Sequence, residues 1–345
     1  MSYNRYWRFL ATAIAVRLSW TLAVGLGWVL LLSDAGLSRC QADPYQAAPA
    51  NCMMLPYKPL ANGQIVLSVQ LNGRIHARFI LDTGTNYCVI TSALAARLGL
   101  TPQPSPAHMD GKQAKIVTVP MLQIGTVRYP NTQMVVVPES NLYQCFGASV
   151  DGIIGVDAFL DVPIFIDFQR HLVTLFYYSP VTDRQLRSLN IEATSSVPLL
   201  DHTGDLAFQA VVELANGKRK ASISLTVDTG AETTSISKAT GHALKLNLNA
   251  PFYYLDGIFS KVGVNDVFLS SFSFGRPGTE IQGVTVQCAR GAVMVHRFEF
   301  GVGIDILSHF QVLLDFGAKK MYLKPVSSLS APALMPKIKV IVGGK

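Results

Sequence analysis

Two aspartates, Asp82 and Asp228, each end an apolar run and open the same tripeptide, in "FILDTGT" (residues 79–85) and "LTVDTGA" (residues 225–231). A carboxylate delivered by a buried strand must be hydrogen-bonded or share a proton, because burying its charge alone is strongly unfavourable. Gly84 and Gly230 supply the sharp turn that re-aims the chain beneath each aspartate. One such loop reads as an ordinary Asx turn at a strand end. A pair has another use. If two halves of the chain pack about a pseudo-twofold axis, the carboxyls meet, share one proton and hold a water. The ionised oxygen takes a proton from that water as it attacks a peptide carbonyl, and the other carboxyl donates to the developing oxyanion.

The elements that would position the pair are themselves repeated. Asp82 and Asp228 are 146 residues apart, as are Ile90 and Ile236, Leu98 and Leu244, and Leu100 and Leu246. Each DTG runs into a strand and then a short helix-like stretch, "SALAARLGL" or "KATGHALKL". Asp-Gly pairs recur at Asp110-Gly111 and Asp256-Gly257, and Asn-Gly turns precede the DTG strands at Asn72-Gly73 and Asn216-Gly217. Farther on, Asp157 and Asp167 answer Asp305 and Asp315 at an offset of 148, so the second copy carries a two-residue insertion. The repeat of roughly 120 residues is too long for a solenoid unit, so each copy is expected to be a lobe. Alternating and continuous apolar runs such as "QIVLSVQL", "PIFIDF" and "ASISLTVD" predict strands almost throughout, with only brief helices.

Composition fits two such lobes. The chain has 345 residues, 49% hydrophobic and 15% charged, enough for two cores and too apolar for disorder. Its net charge of +7 resides at the ends: residues 1–42 carry +3, residues 324–345 carry +4, and the body between them is neutral. No nucleic-acid partner is therefore expected. Arg5, Arg8 and Arg17 precede the uncharged run "LSWTLAVGLGWVLLL" and then small residues, the shape of an export signal. The run is short for a bilayer span, which favours cleavage, while extension back through residues 9–32 would make a membrane anchor. The export reading places the protein in the periplasm, free or anchored, or secreted.

The expected plan is a signal peptide or anchor at 1–42, a flexible leader or prosegment at 43–58, a first lobe at 59–178 and a linker at 179–197. A second lobe at 198–324 and a flexible basic tail at 325–345 complete it. Cys40, Cys52, Cys88, Cys145 and Cys288 have no metal-pair spacing, so neither a metal nor another cofactor is called for. Disulfides and buried thiols both remain open readings of the last four.

The sequence resembles the aspartic proteases of the pepsin and retropepsin clan, most closely as tandem retropepsin-like halves in one exported, bacterial-type chain. The resemblance runs from about residue 60 to 324. It rests on "ILDTGT" and "TVDTGA", and on the backing segments "GIIGVD" and "GVGID". It implies an all-β fold of two pseudo-symmetric β-barrel lobes with a cleft between them and few short helices. It further implies Asp82 and Asp228 as the catalytic pair of a peptide hydrolase. Thr83 and Thr229 would interlock the two loops, and Gly84 and Gly230 would serve as turns and donors. A protein or peptide substrate, bound extended, and a monomer follow from two lobes in one chain. The chain departs from the family where Gly301 stands in place of Ile153, and where no tyrosine lies near Asp110-Gly111. Tyr253 and Tyr254 precede Asp256-Gly257, but read equally as strand packing.

The loops differ at one further place, Thr85 against Ala231. A hydroxyl there can donate to the adjacent carboxylate and favour its charged form, so Asp82 is expected to be the more readily ionised member. Two other classes were weighed. A non-catalytic exported binding protein would keep the fold and drop the chemistry. An actin-like or sugar-kinase-like ATPase also places aspartate and glycine in phosphate loops, but no glycine-rich adenine loop is apparent. Serines and histidines show no triad context, and no GxSxG elbow occurs.

Overall fold

The computed structural model describes residues 52–109, 112–201, 208–249, 251–258, 261–290 and 300–326. The expected signal or anchor at 1–42, the Asp110-Gly111 pair and the tail beyond Val326 lie outside the described residues. What is described is mostly strand with a few helices of eight residues or fewer, as the all-β, two-lobed reading expects.

In the first lobe, β1 (Cys52–Pro56) and β2 (Lys58–Pro59) lead into the hairpin of β3 (Ile65–Leu71) and β4 (Ile75–Leu81). Then follow β5 (Val89–Thr91), β6 (Gln103–Met109), β7 (Lys112–Ile124), β8 (Val127–Val137) and β9 (Gly152–Ile154). β3 pairs β4, β4 pairs β9, β9 pairs β5, β5 pairs β8, β8 pairs β7, and β7 returns to β3. Six strands thus close into a barrel, which removes the exposed edges an open sheet would leave. Along β4 alternation gives way at its end to Phe79, Ile80 and Leu81, all buried, because the strand dives into the core beneath Asp82.

The second lobe repeats the plan with β12 (Ser196–Asp201), β13 (Phe208–Asn216), β14 (Arg219–Val227), β15 (Ser235–Ile236), β16 (Phe252–Asp256), β17 (Lys261–Ser273), β18 (Ile281–Ala289) and β19 (Gly301–Val302). β14 pairs β13 and β19, β13 pairs β17, β17 pairs β18, and β18 pairs β15. Between β15 and β19, hydroxyls take the place of a ladder: Gly301 N donates to Ser235 Oγ at 3.3 Å and Gly303 N to Thr234 Oγ1 at 3.0 Å. Matching helices follow the DTG loops, Ser92–Arg97 capped by Thr91 and Lys238–Ala243 capped by Ser237.

A six-stranded antiparallel sheet joins the lobes in the order β1, β11 (Leu172–Phe176), β10 (Ile164–Asp167), β20 (Phe310–Asp315), β21 (Lys320–Pro325), β12. β10 and β20 meet at its centre, with Phe165 opposite Leu313, so the pseudo-twofold axis passes between them. Two expectations are corrected here. The leader expected at 43–58 is strand from Cys52 onward, because β1 supplies the edge partner of β11. The segment 179–197 is more than a linker. It forms a helix at Asp183–Ser188 with a Thr182–Gln185 capping box, and buries Val181, Leu186 and Ile191 against Phe165, Phe176, Leu313 and Tyr322. Three apolar residues in a polar stretch suffice to cover the interlobe sheet, yet make too short a pattern to read as a helix.

Candidate active site

β4 and β14 deliver Asp82 and Asp228 side by side. Each aspartate is fixed from behind by the backing segment: Asp82 N donates to Ile154 O at 3.1 Å and Asp228 N to Val302 O at 3.0 Å. The loops then cross-link. Thr83 N donates to Thr229 Oγ1 and Thr229 N to Thr83 Oγ1, both at 3.1 Å. Each hydroxyl donates onward across the interface, Thr83 Oγ1 to Val227 O at 2.7 Å and Thr229 Oγ1 to Leu81 O at 2.8 Å. Both threonines are buried, so the four bonds are shielded from water. A Cβ built on Gly84 would lie 2.4 Å from Asp228 Cγ, and one on Gly230 would lie 2.4 Å from Asp82 Cγ. Only glycine lets each loop pass under the opposite carboxyl.

The two carboxyls face each other, each lying over the glycine of the opposite loop. Gly84 N donates to Asp82 Oδ1 at 2.9 Å, and Gly230 N to Asp228 Oδ1 at 2.9 Å. From there the loops diverge. Thr85 Oγ1 donates to Asp82 Oδ2 at 2.7 Å, whereas Asp228 receives the Ala231 backbone N–H at 3.0 Å. Burial raises the pKa of both aspartates, and the donors of Thr85 and Gly84 work against it at Asp82. Asp228 is raised well above the usual carboxylate range, by burial first and by the charge of Asp82 next. Burial thus pushes both carboxyls up, and two acids this close titrate as a pair.

Each loop is also bracketed by a second carboxylate. In the first lobe Val156 N donates to Thr85 O at 2.9 Å and Asp157 N to Asn86 O at 3.3 Å. Asp157 then accepts from Cys88 N at 3.4 Å and Cys88 Sγ at 3.2 Å. In the second lobe Ile304 N donates to Ala231 O at 2.9 Å and Asp305 N to Glu232 O at 3.1 Å. Asp305 accepts from Thr234 N at 2.9 Å and from Thr234 Oγ1 at 2.7 Å. Burial pushes both carboxyls up to about 6 against these donors. The repeated spacing made the two aspartates visible as landmarks; their work as brackets depends on donors in the DTG loops, 69 and 71 residues away in sequence.

Other singled-out residues fall as follows. Gly301 sits behind Asp228, where an added Cβ would lie 3.1 Å from Asp228 Cβ. Ile153, at the same place in the first lobe, packs with Ile80, Val89, Leu142 and Phe146. Tyr253 OH donates to Asp266 Oδ1 at 2.6 Å and accepts from Gln287 Nε2 at 3.0 Å, so it packs within its own sheet, while Tyr254 is exposed. Cys52 and Cys288 are free thiols among the described residues, and Cys88 donates to Asp157. Sequence reasoning missed Asn62 and Gln64, which reach from the first lobe to the second catalytic loop. Nothing in their local pattern marks them.

Comparison with known proteins bears on the first lobe. Residues 67–158 match the model of the aspartyl protease family. This stretch holds the first DTG loop and its backing segment, and the resemblance to pepsin- and retropepsin-clan aspartic proteases stands on it. No curated protein matches the chain. Among solved structures it is similar to a retropepsin-like aspartic protease from Rickettsia conorii, at 18% identity and a TM-score of 0.28, over 37% of this chain and 93% of that one. It is also similar to Basic 7S globulin from soybean, at 10% identity and a TM-score of 0.46, over 80% of this chain and 95% of that one. Conglutin gamma, a basic 7S globulin from lupine seeds, has 10% identity and a TM-score of 0.48 over the same shares.

Proposed function

We propose that the chain is an aspartic endopeptidase that hydrolyses peptide bonds with a water activated between Asp82 and Asp228. The observation that carries this reading is the closely opposed carboxyl pair, held by two glycine turns and four buried threonine bonds. Asp82 accepts a proton from water as the oxygen attacks the peptide carbonyl, and Asp228 donates its proton to the carbonyl oxygen, giving a neutral gem-diol. Collapse returns a proton to Asp228 from one hydroxyl, while Asp82 passes its own to the leaving nitrogen as the C–N bond breaks. The dyad ends as it began, and no covalent intermediate forms.

The substrate of this reading is an extended protein or peptide segment lying between the lobes, and the enzyme acts as a monomer because one chain supplies both aspartates. Export by residues 1–42, with the protein periplasmic and either free or held at the membrane through residues 9–32, belongs to the same proposal. The test is cleavage of an unfolded protein from pH 4 to 7 by the chain lacking residues 1–42, beside Asp82→Asn and Asp228→Asn. Each substitution is expected to lower the rate on the order of a thousandfold or more. Undiminished cleavage by either variant would remove the dyad. A folded parent that retains a peptide partner without cleaving it would favour the binding-protein reading.

A further inference from the structure

The turn between β2 and β3 leaves the first lobe and grips the catalytic loop of the second. It is closed by Leu60 N to Gln64 O at 3.0 Å and Gly63 N to Leu60 O at 2.9 Å. From it Asn62 Nδ2 donates to Glu232 Oε2 at 3.2 Å, and Gln64 Nε2 reaches Gly230 O at 3.4 Å, the long end of the hydrogen-bond range. The orientation of the Gln64 amide follows from chemistry, since its oxygen would repel the Gly230 carbonyl. Gly230 O belongs to the same peptide unit as the Ala231 N–H, which donates to Asp228 Oδ1 at 3.0 Å. A planar peptide that accepts on one side and donates on the other is polarised and oriented by both partners.

Gln64 is unusual for its position. It is only 3% exposed, and its Oε1 meets no donor among the described residues. A buried amide satisfied on one side only is less stable than an apolar side chain of the same length. Packing alone would favour methionine or leucine here. What the amide does provide is a donor to one of the two peptides that support Asp228, in the loop that lacks the hydroxyl of Thr85.

We propose that Gln64 is a positioning residue for the second catalytic loop: it holds the Gly230 carbonyl so that the Ala231 N–H aims at Asp228, taking the part Thr85 plays for Asp82. The first lobe thereby helps to build the acid of the second. The inference rests on the catalytic reading above for its kinetic consequence, but its structural content concerns only Gly230, Ala231 and Asp228. The charged group facing Asp228 is Asp82; Glu232 and Asp305, farther along the loop and its backing segment, stay in place in every variant below.

The test is Gln64→Met in the full chain, read by thermal unfolding, by the pH dependence of kcat, and by carbon-13 titration of the Asp228 carboxyl, assigned with Asp228→Asn. The unfolding temperature is expected to hold or rise. The value of kcat should fall about fivefold, the equivalent of one net hydrogen bond, with KM little changed. Asp228 should titrate at higher pH, and adding Ala231→Ser should bring that titration back down. Gln64→Asn, one methylene too short to reach Gly230, reads the same way should the methionine variant not fold. An unmoved Asp228 titration overturns the proposal, and so does a loss of kcat that merely follows a loss of stability. If the parent cleaves nothing, the proteolytic reading has failed, yet the titration still decides the role of Gln64.

Discussion

The two lobes share a plan and differ in what holds their DTG loops. Behind Asp82, β4, β5 and β9 contribute Ile80, Val89 and Ile153, an apolar layer covered by the helix Glu139–Phe146. Behind Asp228 the same places hold Thr226, Ser235 and Gly301, and β15 meets β19 through hydroxyls. The first loop is seated by packing, which is non-directional and tolerant. The second is seated by directional polar contacts, some of them from the first lobe. The two halves are thus not interchangeable in what seats their loops.

The comparison can be broken first at the glycines. Gly84→Ala and Gly230→Ala each place a Cβ against the opposite carboxyl at 2.4 Å. Either should part the dyad, destabilise the fold by about 1–3 kcal/mol and remove nearly all cleavage, as thermal unfolding and a peptide assay would show. A variant that keeps full activity would mean that the loops do not meet this closely.

The brackets give the next largest effect. Asp157 and Asp305 are pushed up to about 6, above the carboxylate value of 3.8 expected in the unfolded chain. The folded state therefore binds their protons first. Stability from these groups rises as pH falls through 6 toward 4 and is lost as pH returns to neutrality, by on the order of 1 kcal/mol each. Unfolding temperatures measured from pH 4 to 8 should show this rise, and Asp157→Asn with Asp305→Asn should flatten it. Cys88→Thr, which gives Asp157 the donor that Asp305 already has, should move its titration downward.

The smallest effect tests the asymmetry within the dyad. Ala231→Ser supplies a donor to Asp228, favours its charged form, and should move the basic limb of the pH profile, and with it the optimum, downward. Thr85→Ala removes the donor from Asp82, raises its pKa, and should move the acidic limb upward. Profiles that stay fixed in both variants would show that the hydroxyl does not decide where the proton sits.

Much of the site was legible before any coordinates. Asp82, Thr83 and Gly84 stand out because a strand that ends on a carboxylate and a glycine violates the apolar pattern, and because the violation recurs at Asp228. Thr85 against Ala231 pointed to a hydroxyl donor for Asp82, and Thr85 Oγ1 donates to Asp82 Oδ2. The edge strand at Cys52–Pro56 and the helix at Asp183–Ser188 were not legible. Each is short, and its stability comes from a partner strand or an apolar patch distant in sequence. Gln64 was invisible for the same reason, since its partner is 166 residues away.

By itself, then, the sequence determined the recurring DTG pattern, the strand-rich character and the two candidate aspartates. Those are consequences of local pattern, and pattern is written residue by residue. Tertiary structure alone decided which lobe supports which loop, how Asp157 and Asp305 bracket their neighbours, and that Asp82 and Asp228 meet. Burial, charge proximity and hydrogen-bond geometry exist only once distant segments have been brought together.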